Sequence, residues 1–314
     1  MYLNNNRRII YTMLDRIKVY ILYYNMLKKA YKNHINVALD LFRNKNIIPV
    51  VLYSGKSYFL TNLYVREYAI AINSNFSTEA NPEINIKENY FEFTYNSKRL
   101  RFYGFLSNGH VYNEFLDFEY KKLNFKDKVV IDIGSNIGDT PIYFALNGAK
   151  IVYAIEPMPT LFNHLIKNIE YNKINNVIPL NVAIGDKDRP DCLKLPEIDV
   201  GLDANLNNIN NVYNKFMINK GNNKLVGCKT LDSLIKDIGD NEIIIKMDCE
   251  GCEYSAILGL SKQSMIKISQ IGLEYHYGHE QLLEFLSRNG FKVQFTKPNK
   301  LGKLRIGILF AFKN

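Results

Sequence analysis

The sequence predicts an α/β fold, a mostly parallel sheet of seven strands flanked by helices, preceded by a helical segment and a small β-rich extension. Two observations predict it. After residue 121, short and nearly continuous apolar runs alternate with helical patterns, the signature of parallel strands buried on both faces. Before that point the texture is first basic and helical, then a series of short β-branched and aromatic runs. With 314 residues, 47% of them hydrophobic, the chain buries a large core, and disorder of the whole is excluded.

Ile10, Met13, Ile17, Ile21 and Tyr24 recur at steps of three and four with basic residues between them, which predicts an amphipathic helix, and a second helix is expected over Asn33 to Phe42. Runs at Ile48 to Tyr53, Tyr58 to Leu63, Tyr90 to Tyr95 and Leu100 to Phe105 predict antiparallel hairpins. The Asn-rich stretch from Asn73 to Asn89, broken by Asn81-Pro82, reads as a loop. Strands then follow at Val129 to Ile133, Ile151 to Ile155, Val177 to Val182, Ile243 to Met247, Gln270 to Tyr275, Lys292 to Phe295 and Leu304 to Phe312. Helices are expected at Ile137 to Asn147, Thr160 to Asn172, Leu231 to Ile238, Glu253 to Leu258 and Glu280 to Asn289. The resulting division is 1–45 basic and helical, 46–120 small and β-rich, and 121–314 a Rossmann-like domain. An Asn-rich insertion from Asp199 to Leu225 is placed to cover the carboxyl ends of the strands, where open α/β sheets bind ligands.

Charge is unevenly spread. Residues 1–50 carry nine Lys or Arg against Asp15 and Asp40, and so hold +7 of the formal +9. The remainder is nearly neutral and projects no field toward a polyanion, which disfavours a nucleic-acid partner. Any contact with a membrane surface or an acidic partner belongs to residues 1–45. Four scattered cysteines and the absence of a spanning apolar run predict a reduced, cytoplasmic protein, peripheral at the membrane at most.

The strongest chemical signal is Val129-Val-Ile-Asp-Ile-Gly-Ser-Asn-Ile-Gly138, a strand running into a glycine turn and a helix start, as a nucleotide-like ligand requires. Its glycine spacing is not the G-x-G-x-x-G of nicotinamide proteins. Glu156 ends the next strand, where an acid accepts hydrogen bonds from ribose hydroxyls. Ile245-Lys-Met-Asp-Cys-Glu-Gly-Cys-Glu253 closes the fourth strand with Asp248, Glu250 and Glu253 at one sheet edge.

In these three motifs the chain resembles the FkbM family of methyltransferases, over about residues 115 to 295. The resemblance implies a seven-stranded class I methyltransferase sheet and S-adenosylmethionine as cofactor. It implies that Asp132, Gly134, Asn136 and Gly138 cradle the methionine part, with Asp132 beside the cofactor's cationic groups. Glu156 would hold the ribose and Ala183 would lie by the adenine. Glu119-Tyr120 is similar to the lead-in to the cofactor, and Glu274-Tyr-His276 to the motif ending the fifth strand. Asp248 with Glu250 would face the methyl group and the acceptor. His276 shares a sheet edge with Asp248, and one of these two is expected to be the general base. Cys252 stands where a small alanine is usual.

The implied reaction is O-methylation of a hydroxyl on a sugar or another small-molecule or glycan acceptor. Two alternatives stay open. One is a tRNA or RNA methyltransferase. The other is a cofactor-binding scaffold without turnover at a membrane or glycan assembly. Cys249 and Cys252, with His276 and His279, also have the spacing of a zinc or redox site, but they lie inside a motif that already accounts for the segment, so no metal ligand is expected.

Overall fold

The computed structural model describes residues 23–73, 80–107, 111–116, 119–196, 223–239, 242–301 and 304–313. The expected first helix before residue 23 and most of the expected insertion lie outside them. Residues 23–30 are helical, followed by α1 (His34–Phe42), β1 (Ile47–Val51), β2 (Ser57–Thr61) and α2 (Asn62–Asn73). The strand expected to run to Leu63 stops at Thr61, whose hydroxyl accepts a hydrogen bond from the Tyr64 amide and so starts a helix. Next come β3 (Glu83–Asn85), β4 (Tyr90–Tyr95), β5 (Lys98–Tyr103) and α3 (Val111–Leu116). The short β3 falls in the stretch expected to be loop, because its backbone completes the free edge of β4.

The main α/β part follows: β6 (Val129–Ile133), α4 (Asp139–Leu146), β7 (Ile151–Ile155), α5 (Pro159–Tyr171), β8 (Val177–Leu180), β9 (Ala183–Ile184), β10 (Arg189–Pro196) and β11 (Asn223–Lys229). It continues through α6 (Leu231–Ile238), β12 (Ile243–Met247), α7 (Glu253–Leu258), α8 (Lys262–Lys267), β13 (Ile268–Tyr275), α9 (Glu280–Arg288), β14 (Phe291–Phe295), β15 (Asn299–Leu301) and β16 (Leu304–Lys313). The main sheet runs β14-β16-β13-β12-β6-β7-β8, with β15 paired to β16 at its side. All seven strands are those the sequence predicts, and β16 is antiparallel to both its neighbours while the other pairings are parallel. Ala183 is not in this sheet but in a three-stranded one, β10-β11-β9.

Side-chain alternation divides the core. Ile131, Ile133, Ile245 and Met247 face the layer of α6, α7 and α9, whereas Val130, Val152 and Ile244 face the other side. On that second face the core is continuous with Leu27, Tyr31, Val65, Phe93, Phe102 and Phe115, so the N-terminal elements cover one side of the sheet. Strand order reverses between β6 and β12, and the carboxyl ends of strands at such a switch point are where open α/β sheets generally bind ligands.

Candidate active site

Parallel register places Lys246 of β12 directly beside Asp132 of β6. Both are buried, and Lys246 Nζ lies 3.0 Å from Asp132 Oδ1 and 3.2 Å from the Gly134 carbonyl it donates to. The Thr140 hydroxyl donates to the other Asp132 oxygen at 2.5 Å. Burial pulls the Lys246 pKa down, but the Asp132 and Asp248 charges outweigh it and hold the ammonium above the usual lysine value. The cation that Asp132 faces is therefore Lys246, a residue the sequence reading passed over. The available signal was a lysine inside an otherwise apolar strand.

The glycines of the β6 turn serve the fold at close quarters. A Cβ on Gly134 (φ 80°) would lie 1.8 Å from the Asp248 carbonyl oxygen, and one on Gly138 (φ 95°) 2.6 Å from Leu165. Gly134 thus lets the loops after β6 and β12 touch, while the Asp248 amide donates to the Ile133 carbonyl at 2.9 Å. Asn136 takes the left-handed conformation, and its buried Oδ1 has no hydrogen-bond partner.

Glu156, at the end of β7, is 5% exposed and accepts backbone N–H bonds from Asn136 (3.0 Å) and Met158 (2.8 Å). Burial nevertheless pushes its pKa up to about 7. The Asn181 amide pins the same loop through the Glu156 and Pro157 carbonyls, ending the β8 strand earlier than expected. Tyr120 is buried, with its ring against Phe310 and 5.7 Å from Lys246 Nζ, and Gly272 of β13 admits it. Glu119 is exposed, but partial desolvation of its carboxyl, and then the nearby Asp248 charge, raise its pKa. Glu114 of α3 also faces Asp139, Lys246 and Asp248, and burial lifts its pKa to about 8. No sequence pattern marked Glu114, because it comes from the region outside the motifs.

At the ends of β12 and β13 the second cluster assembles. His276 is 3% exposed. Its Nδ1 lies 3.1 Å from Glu253 Oε1, and its Nε2 lies 3.2 Å from Glu250 Oε2 and 3.6 Å from Glu274 Oε2. Burial depresses the imidazole pKa, but hydrogen bonds to Glu250 and Glu253 overcome it and raise the value to about 11. Glu253, fully buried, also accepts from the Cys249 and Gly251 amides and so closes the loop that presents Glu250. Burial raises Asp248, and burial with the Asp248 charge raises Glu274 to about 8. The bond to His276 lowers Glu250. One Asp248 oxygen, Oδ1, is sealed from solvent without a hydrogen-bond partner.

Cys249 and Cys252 are joined by a disulfide across this loop. That corrects the expectation of reduced cysteines and removes their thiolates as zinc ligands. His279 stands apart, stacked on Phe295 at 3.8 Å. The structure thus brings together Asp248, Glu250 and His276 and adds Glu253 and Glu274. Ala183 lies on the small sheet.

Comparison with known proteins gives one family and weaker likenesses. The Methyltransferase FkbM domain matches residues 132–293. A tRNA(Phe) (4-demethylwyosine(37)-C(7)) aminocarboxypropyltransferase of Methanocaldococcus jannaschii is 42% identical over 66 residues, 20% of this chain and 26% of that protein; the chain spans about a quarter of that relative. Among solved structures, TYW2 of M. jannaschii in complex with AdoMet is 17% identical over 73% of this chain and 87% of its own, with a TM-score of 0.38. Trm5b of Pyrococcus abyssi is 14% identical over 90% of this chain and 68% of its own, with a TM-score of 0.41.

Proposed function

The chain belongs to the FkbM family of S-adenosylmethionine-dependent methyltransferases, and from this premise we propose that it methylates a hydroxyl oxygen of a sugar or another small-molecule or glycan acceptor. The observation that supports this reading is the carboxylate–imidazole cluster of Asp248, Glu250, Glu274 and His276 at the switch-point edge, since a hydroxyl must lose its proton as it attacks.

The residues present fit the cofactor. It carries an ammonium and a sulfonium, and the site offers more buried carboxylates than Lys246 and His276 neutralise, together with the partnerless oxygens of Asn136 and Asp248. The loop from Gly134 to Gly138 would hold the methionine part with Asp132 behind it, Glu156 would accept from the ribose, Ala183 would border the adenine, and Glu119-Tyr120 would close the entrance. When bound, the cofactor supplies an electrophilic methyl group on sulfur. The chain's own residues would position the acceptor hydroxyl beside that methyl group and take its proton. His276 is held between the Glu253 and Glu250 carboxylates at the edge where the acceptor's proton would leave. The test is calorimetric titration of S-adenosylmethionine into wild type and Glu156→Ala, with NADH as control. Binding that weakens at least tenfold in the variant is expected, and a folded wild type that binds no S-adenosylmethionine would remove the reading.

A second reading, transfer to RNA, is favoured by the 66-residue match to an enzyme named for tRNA(Phe). Binding of unfractionated RNA with a steep salt dependence would support it over the small acceptor. Among the described residues no helix is long and apolar enough to cross a membrane. The basic balance of residues 1–45 supports contact with an acidic surface, which sedimentation with anionic vesicles tests.

A further inference from the structure

We propose that Asp248, Glu274 and His276 form a binding site for a divalent transition-metal cation that activates the acceptor hydroxyl. The inference rests on the methyl-transfer reading and states how that site would work.

One oxygen each of Asp248 and Glu274 and one ring nitrogen of His276 lie within 4.8 Å of one another. Ligand atoms about 2.0–2.2 Å from a shared ion sit roughly 3–4.4 Å apart, so small side-chain rotations close the set. The His276 Nε2 to Glu274 Oε2 distance, 3.6 Å, is already in that range.

Two further features point to an ion. The Asp248 oxygen sealed from solvent has no hydrogen-bond partner, a costly state for a carboxylate unless a cation or donor meets it. Glu253, wholly buried on β13's neighbour α7, holds His276 Nδ1 at 3.1 Å and thereby aims Nε2 at the two carboxylates. A carboxylate behind a histidine is the outer partner that metal-ligating imidazoles use to fix their orientation. Glu250 reaches the same nitrogen from the exposed side, so it is displaced from His276 when the ion binds.

An imidazole with two carboxylates suits manganese, iron or zinc better than calcium or magnesium, which prefer all-oxygen shells. The three ligands leave coordination positions open, and a hydroxyl bound there loses its proton more readily. In this arrangement the hydroxyl proton passes to Glu250, the carboxylate freed from His276, and the oxygen attacks the methyl carbon as the C–S bond breaks.

The experiment is titration of chelator-treated protein with Mn2+, followed by electron paramagnetic resonance, without thiol reductant so that the cysteine pair stays closed. One Mn2+ per chain is expected, with affinity weakened at least tenfold in both Glu274→Gln and His276→Ala, and with Zn2+ displacing Mn2+. S-adenosylmethionine titration of each protein reports folding, and Glu274→Gln decides if His276→Ala does not fold. Wild type that binds S-adenosylmethionine but no Mn2+, or a Glu274→Gln variant that binds Mn2+ as wild type does, overturns the cation site and leaves a bare side-chain base. Mn2+ binding of the expected kind in a protein that binds no S-adenosylmethionine keeps the site and removes the methyl-transfer reading instead.

Discussion

Glu156 sits at the carboxyl end of β7, buried, with a backbone amide on each oxygen. Those amides favour the charged form, yet burial wins and its pKa stands at about 7, against 4.5 for an ordinary glutamate. The sign of the consequence is definite. Between pH 4.5 and 7 the unfolded chain has released this proton while the folded one keeps it, so raising the pH through that window favours unfolding. The contribution is complete below pH 4.5, is lost by about pH 7, and amounts to on the order of 3 kcal/mol at most. Glu114 shifts in the same direction, so the wild-type curve alone does not isolate Glu156. Urea unfolding of Glu156→Gln across pH 4 to 8, without cofactor, should give a shallower fall than wild type by about that amount. Parallel curves would show that Glu156 does not hold its proton on folding. The neighbouring Lys246–Asp132 pair illustrates what sequence order hides. Each residue was visible in its own motif, but their pairing follows from β6 lying next to β12, and neighbour order in a parallel sheet is not written in local spacing.

At the level of elements, α5 does more than flank the sheet. Asn168 and Asn172, one turn apart and both buried, face the outer edge of β5. Asn168 accepts from the Tyr103 amide at 2.7 Å and donates to the Tyr103 carbonyl at 3.0 Å, and Asn172 does the same for Arg101 at 2.9 and 2.7 Å. The two amides act as a surrogate strand that closes an otherwise open edge. Asn168 also donates to the Ile137 carbonyl at 2.8 Å, which ties the small β unit to the glycine turn after β6. Replacing Asn168 by Ala strands the Tyr103 amide and two carbonyls, at about 1–3 kcal/mol for each buried group, so a loss of roughly 3 kcal/mol or more is expected in chemical denaturation. Because Ile137 lies in the turn proposed above to hold the cofactor's methionine part, S-adenosylmethionine binding should weaken as well. An Asn168→Ala protein of wild-type stability would mean that water replaces the clamp. Hydrophobic periodicity located β6, β7, β12 and α6 to the residue, because a buried strand or an amphipathic helix announces itself by its own pattern. It did not locate α2, whose Tyr and Val content reads as strand, nor the asparagine clamp, since asparagine in a chain this rich in it signals turns rather than buried contacts.

At the scale of the whole molecule, the boundary that composition suggests near residue 120 does not divide the core. One hydrophobic cluster runs from Leu27 through Phe93 and Phe102 to Val130, Phe144, Ile244 and Phe310. Rings cross the junction: Phe115 meets Tyr143 at 5.5 Å, Tyr95 meets the same ring at 6.3 Å, and Tyr120 meets Phe310 at 6.3 Å. Charge crosses it too, since Glu114 faces Lys246 at the switch point and Arg101 lies 4.5 Å from the ring of Tyr171. The family's domain spans residues 132–293, but the sheet needs cover on a face that this region does not supply. Uncovering a large side chain costs roughly 1.5–3 kcal/mol, and a domain's whole stability is about 5–15 kcal/mol, so losing cover over even a few of these residues consumes most of it. The full chain should therefore unfold in one transition, with tyrosine fluorescence and far-ultraviolet circular dichroism tracing the same midpoint. A chain beginning at residue 119 should show no cooperative transition and should bind hydrophobic dye. If that shorter chain instead unfolds sharply with a midpoint near that of the full protein, the sheet is self-sufficient and the N-terminal elements are an appended unit rather than one wall of the core.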